Sequence, residues 1–165
     1  MTNASEADPQ DPRYAGWMGL AIEQARASLE TADVPVGAVV LTPDGDVLGH
    51  GCNSRVADGD PLAHAEILAI RSAAQARGHY RLDDTLMCVT LEPCLMCIGA
   101  IMQARIGLVV FGAWDPKAGA CGSAWDVTGD NPSPLHTSAV GGVRQQECAA
   151  LLTDFFRARR AERRG

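Results

Sequence analysis

Tyr14, Trp17, Met18, Ala21, Ile22, Ala25 and Leu29 recur at helical spacing and predict a first helix over about residues 12–31. Asp11 reads as its N-cap and Pro12 as its first helical residue, where a missing N–H costs nothing. The apolar, β-branched run Val36–Thr42, the turn Pro43-Asp44-Gly45 and the return run Val47–Asn53 predict a β-hairpin. A polar loop over 54–62 leads to a second helix from Ala63 to Arg77, stopped by Gly78. Thr85–Leu91 predicts a buried strand, Pro93 opens a third helix ending near Ala104, and Ile106–Phe111 predicts another short strand. Residues 112–135 are rich in Gly, Ala, Ser, Pro and Asp and predict a long irregular stretch, a length often functional in a compact domain. A weak strand near 138–143 and a last helix over about 144–160, burying Cys148, Leu151, Leu152 and Phe155, complete the chain. Helices interleaved with strands predict an α/β fold, a three-layer α/β/α sandwich around a central mixed five-stranded sheet.

Length and composition narrow this picture. The 165 residues fit a flexible tail over 1–10 followed by a single domain over 11–165. With 47% hydrophobic and 5% aromatic residues, the core must be built from Ala, Val, Leu and Ile, and a disordered or collagen-like chain is excluded. No run of 18 apolar residues exists and the N-terminus lacks the basic and apolar regions of a signal peptide, so no membrane association and a cytoplasmic location are expected. In that compartment six cysteines favour a metal site over disulfides.

The net charge of −6 speaks against a nucleic-acid partner until its distribution is read. Residues 157–164 hold five arginines against Glu162, a local charge of +4 that leaves −10 for residues 1–156. An acidic body thus carries a basic C-terminal end.

His64-Ala65-Glu66 and Pro93-Cys94-Leu95-Met96-Cys97 both stand where a helix is predicted to begin. Together they form the H-x-E…P-C-x-x-C signature of zinc deaminases. Cys94 and Cys97, three apart, share one helix face, and a helix N-terminus lowers a thiol pKa toward the zinc-binding thiolate. His64 adds a third ligand, leaving the fourth tetrahedral position open as in catalytic rather than structural zinc sites. Glu66, two residues beyond His64, is off the ligand stripe and free to serve as general base. A lone C-x-x-C would be equally compatible with a structural or redox role; the upstream H-x-E decides against both. Cys52, Cys88, Cys121 and Cys148 read as small core or wall residues, and His50, His79 and His136 belong to no motif.

Beyond these residues, Val34-Pro-Val-Gly-Ala-Val39 and Leu91-Glu-Pro-Cys-Leu-Met-Cys97 resemble the cytidine deaminase superfamily. Phe111-Gly-Ala-Trp-Asp-Pro-Lys-Ala-Gly-Ala120, Gly122-Ser123 and Glu147–Arg157 are similar to the bacterial tRNA-specific adenosine deaminases within it, and the resemblance runs from about residue 13 to 162. It implies hydrolytic conversion of the wobble adenosine, position 34 of a tRNA with an ACG anticodon, to inosine. It also implies a homodimer with one zinc per subunit, the tRNA anticodon stem-loop as partner, and no organic cofactor. By the same resemblance His64, Cys94 and Cys97 are the zinc ligands and Glu66 the proton shuttle. Asn53 hydrogen-bonds the purine, Val36 and Leu91 wall the pocket, and Asp115 and Lys117 sit in a loop bordering RNA. Phe155 and Arg157 belong to a C-terminal helix that lines the anticodon-loop groove. The sequence departs from the family pattern at Pro134-Leu135-His136, where Leu-Asn-His and a basic residue are usual, and at Trp114, where Arg is frequent; it also ends soon after Arg163 and Arg164. The same zinc constellation would serve a deaminase of a free base or nucleoside of the guanine or cytosine type. A non-catalytic RNA-binding protein with structural zinc would have no use for Glu66.

Overall fold

A computed structural model describes residues 7–165. Of the expected tail, residues 1–6 lie outside the described residues, while 8–11 close a turn in which the Asp11 N–H donates to the Asp8 carbonyl at 3.1 Å. The elements are α1 (Arg13–Ala27), a 3₁₀ turn (Ser28–Thr31), β1 (Gly37–Leu41), β2 (Val47–Cys52), α2 (Arg55–Asp58) and α3 (Ala65–Arg77). They continue with β3 (Leu86–Leu91), α4 (Leu95–Gln103), β4 (Leu108–Ala113), β5 (Ser138–Val140) and α5 (Gln145–Glu162). The strands form one sheet in the order β2-β1-β3-β4-β5, with β1 antiparallel to both β2 and β3, and β3, β4 and β5 mutually parallel. The expected mixed five-stranded sheet is present.

Strand alternation builds the three layers. Ala38, Val40, Met87, Val89, Val109 and Phe111 point to one face, where they bury Ala65, Ala69 and Ala73 of α3 and Ile98 and Ile101 of α4. Val39, Leu41, Cys88 and Val110 point to the other, against Tyr14, Met18, Ala21 and Ile22 of α1 and Cys148 of α5. Each fully buried Val, Leu or Ile contributes about 1.5–3 kcal/mol relative to exposure.

The helices approach the sheet closely because small residues face each other. A Cβ on Gly49 would lie 2.3 Å from the Ala73 backbone nitrogen, so β2 touches α3 backbone to backbone. A Cβ on Gly37 would lie 2.1 Å from the Ala21 carbonyl oxygen and would push α1 off β1. The shortage of aromatic residues is thereby explained: the layers interlock through Gly and Ala with β-branched residues between.

Several boundaries shift. The α1 helix begins at Arg13, with Pro12 at the cap position, and the Asp11 carboxylate accepts the Arg13 N–H at 2.9 Å. The loop over 54–62 contains the short α2. The α3 helix begins at Ala65 and α4 at Leu95, so His64 and Cys94 are the capping residues, extended at ψ 150° and 174°, instead of helical ones. Cys94 stays extended because it bridges to Gly119 of the long loop. Leu151 and Leu152 are only half-buried, whereas Cys148 and Phe155 are buried as expected.

A candidate metal centre at the start of two helices

The beginnings of α3 and α4 meet beside the ends of β1 and β3. His64 Nδ1 lies 3.7 Å from Cys94 Sγ and 3.4 Å from Cys97 Sγ, and the three ligand atoms lie within 4.8 Å of one another. Zn–S bonds of 2.3 Å and Zn–N bonds of about 2.05 Å at a tetrahedral angle place S and N about 3.6 Å apart. The two observed separations bracket that value, so the residues fit zinc. Among the described residues this is the one such cluster.

Of the three ligand groups, Cys94 is the one already held toward the cation-binding thiolate. The Cys94 thiol is pushed down to about 4, chiefly by hydrogen bonding with Cys97 and also with His64, against opposing burial. The His64 imidazole is raised, first by its hydrogen bond with Cys94. The Cys97 thiol is pushed up by its hydrogen bond with Cys94 and by burial. Glu66, in the first turn of α3, is 4% exposed, and burial pushes its carboxyl up to about 7.

A cavity of about 180 Å³ opens on this cluster, with room for one heterocycle. Val36, Asn53, Leu91 and Asp115 line it together with His64, Glu66 and Cys94, while Cys97 is fully buried behind. The Asn53 amide is held by both ends: Nδ2 donates to the Val34 carbonyl at 3.0 Å, and Oδ1 accepts the Arg55 N–H at 3.3 Å. Its second amide hydrogen and remaining lone pair are left for a ligand.

The structure brings together only part of the expected RNA-facing set. Lys117 is an exposed loop residue whose backbone N–H donates to Asp115 Oδ1 at 3.1 Å; it does not line the cavity. Phe155 is buried on the inner side of α5 at 8% exposure, under the Arg159 guanidinium at 5.4 Å. Arg157 points away, 71% exposed and 3.7 Å from Asp154. Its neighbour on the relevant face is Arg159, which donates to the Ala32 carbonyl at 3.3 Å and lines a second cavity of about 390 Å³. That cavity shares Val34, Asn53 and Arg55 with the first. The basic end of the chain therefore reaches the site through one arginine, joined by Arg55 from α2.

Sequence reading missed Arg55, Val34, Ala118, Asp33 and Glu92. Arg159 was legible only as a member of a charge run. Glu92 carried one signal, a carboxylate inside the apolar run 86–98. It is 2% exposed and accepts hydrogen bonds from the N–H groups of Asp115 at 2.9 Å and of Cys121 and Ser123 at 3.0 Å, and from the Ser123 hydroxyl. Asp33, 1% exposed, accepts the α2 N–H groups of Val56 at 2.6 Å and Ala57 at 3.2 Å.

Residues 13–113 match the cytidine and deoxycytidylate deaminase zinc-binding region. The chain is 39% identical to a tRNA-specific adenosine deaminase of Haemophilus influenzae, over 97% of this chain and 89% of that protein. It is 47% identical to a tRNA(Ile)-lysidine synthase of Deinococcus radiodurans over 90% of this chain, and spans only 25% of that longer relative. A solved structure from work on A-to-I editing by tRNA:A34 deaminases at the wobble position of transfer RNA superposes with a TM-score of 0.78 at 39% identity, covering 83% of this chain and 99% of that one.

Proposed function

Given that the chain belongs to the cytidine and deoxycytidylate deaminase zinc-binding family, we propose that it is a zinc-dependent tRNA adenosine deaminase converting the wobble adenosine, position 34, to inosine. The observation that carries the reading is the buried Glu66 carboxylate in a one-base cavity beside the His64, Cys94 and Cys97 triad. The similarity to the Haemophilus protein, spanning nearly the whole of both chains, favours tRNA over a free base.

His64, Cys94 and Cys97 would hold one zinc per subunit, which when bound supplies a Lewis acid that activates water. The chain's own residues do the rest. Val36 and Leu91 flank the purine as apolar walls, and Asn53, fixed through Val34 and Arg55, presents a free donor and acceptor to its edge. Glu66 carries one proton of the attacking water to N1 and the second to the departing amino nitrogen; as the C6–O bond forms and the C6–N bond breaks, adenosine and water give inosine and ammonia. Extruding the base into the cavity costs a few kcal/mol, least for an unpaired loop nucleotide. Arg159 and Arg55 face the adjoining cavity, where the flanking strand of the anticodon stem-loop would lie. Asp115 lines the base cavity, and Lys117 follows it as an exposed residue of the same loop.

A homodimer is the matching assembly. Leu62, just before α3, and Leu95, the first residue of α4, are about half exposed beside the ligand-bearing helix starts, where a second copy would cover them. Sedimentation at micromolar concentration tests this, and a monomer there refutes it. The site needs no organic cofactor, and the location is the cytoplasm, where the tRNA substrate is found.

The decisive experiment incubates zinc-loaded protein with an ACG-anticodon tRNA and sequences the cDNA. An A-to-G change at position 34 is expected. Unchanged adenosine at full zinc occupancy refutes the reading, and faster turnover of free guanine or cytosine than of the tRNA would replace it.

A further inference from the structure

We propose that Glu92 is a positioning residue that fixes one wall of the base pocket by anchoring the 115–123 loop, an inference that rests on the deaminase reading above. Glu92 follows the last residue of β3 and precedes Pro93 and the ligand Cys94. A carboxylate buried to 2% exposure is strongly destabilising unless hydrogen bonds replace its water. Among the described residues, every such bond comes from one loop and none from a cation. One oxygen accepts the N–H groups of Cys121 and Ser123, and the other accepts the Asp115 N–H and the Ser123 hydroxyl.

The loop also docks on the two residues after Glu92. The Ala120 N–H donates to the Pro93 carbonyl at 2.8 Å, and Gly119 bridges to Cys94. Gly119 is required there, because a Cβ would lie 2.2 Å from the Glu92 carboxylate. Glu92, Pro93 and Cys94 thus hold the loop at three successive points, the last being a metal ligand. Asp115 and Ala118, within the anchored stretch, line the base cavity.

Glu92 itself borders the cavity, but both its carboxylate oxygens are occupied by loop donors, so this carboxylate acts by holding the wall and not on the reacting atoms, the reverse of Glu66. A wall set before substrate arrives removes the ordering cost of binding. Loosening it should raise KM while leaving the proton transfer, and hence kcat, nearly intact.

The test is Glu92→Gln in the full-length zinc protein with the ACG-anticodon tRNA. The new amide oxygen can still accept the Cys121 and Ser123 N–H groups, but its NH₂ meets the Asp115 N–H donor to donor. The expected result is unchanged zinc content, faster amide exchange at Asp115, Cys121 and Ser123, a KM higher by about tenfold, and kcat within about twofold. If that variant fails to fold, Ser123→Ala, which removes a single hydroxyl from the cluster, should raise KM by about threefold with zinc retained. Unchanged KM, unchanged amide protection, or loss of zinc with activity would each overturn the proposal. A wild-type protein without turnover on the tRNA overturns the deaminase reading by itself, and amide exchange then still judges the anchoring by Glu92.

Discussion

The Asp33 carboxylate accepts the Val56 backbone N–H at 2.6 Å across 23 residues of sequence. It also takes the Ala57 N–H and the Thr31 hydroxyl, and so caps α2, whose own N-cap residue, Ser54, supplies no capping bond. This contact ties the turn after α1 to the short helix that presents Arg55 to both cavities.

Removing that cap by Asp33→Ala should lower stability by about 1 kcal/mol, within a range of about 0.5–2, read from urea unfolding. The pH dependence has a fixed sign. Burial raises the Asp33 carboxyl, but the Val56, Thr31 and Ala57 donors outweigh it and hold the group below its ordinary value of 3.8. A folded-state pKa below the unfolded one stabilises the protein above the unfolded value, and the contribution is lost as pH falls through the lowered folded value. Asp33→Asn should therefore flatten the acid limb of Tm against pH below about pH 4 and leave the profile near neutrality parallel to wild type.

Glu66→Ala should bind zinc at the wild-type ratio and lose turnover by about 10²–10⁴-fold, the usual contribution of a general acid–base group. Chelation of the wild type should abolish turnover, restored by stoichiometric zinc, and should expose the half-buried Cys94 to a thiol reagent. A Glu66→Ala protein that deaminates normally, or one that has lost its metal, contradicts the role given to this carboxylate.

Gly49 and Gly16 make opposite predictions. A Cβ at Gly49 meets the α3 backbone at 2.3 Å, and Gly49→Val should destabilise by about 1–3 kcal/mol or more. A Cβ at Gly16, inside α1, meets nothing within 4 Å, and Gly16→Ala should stabilise by about 0.5–1 kcal/mol. Thermal melts of both variants check the pair; a neutral Gly49→Val would refute the close helix-sheet packing.

Arg159→Ala should weaken tRNA binding more than Arg157→Ala, since Arg159 lines the cavity beside the base pocket and Arg157 faces solvent beside Asp154. The slope of log K against log salt should fall by about 0.7 for Arg159→Ala if it contacts one phosphate of single-stranded RNA, and stay unchanged for Arg157→Ala. Filter binding over a salt series distinguishes the two, and equal slopes would remove Arg159 from the interface.

Local pattern determined much of this protein. The continuous apolar runs Val36–Thr42 and Thr85–Leu91, and helical periodicity from Tyr14 to Leu29, depend on neighbours a few residues away, so the element order and the sheet were readable from the chain. The motif spacing identified His64, Cys94, Cys97 and Glu66 because metal chemistry restricts both residue types and their separation. Tertiary structure decided the rest. His64 and Cys94 cap their helices instead of starting them, and Cys94 is held extended by Gly119 from 25 residues on. Asp33 looked like any polar loop residue, and Glu92 like part of a motif, until folding brought unpaired N–H groups to their carboxylates. The arginine run disclosed its charge but not its direction: a helix turns about 100° per residue, so Arg157 and Arg159 point to different surroundings, and only the packing of Phe155 against the body selects which of them meets the site.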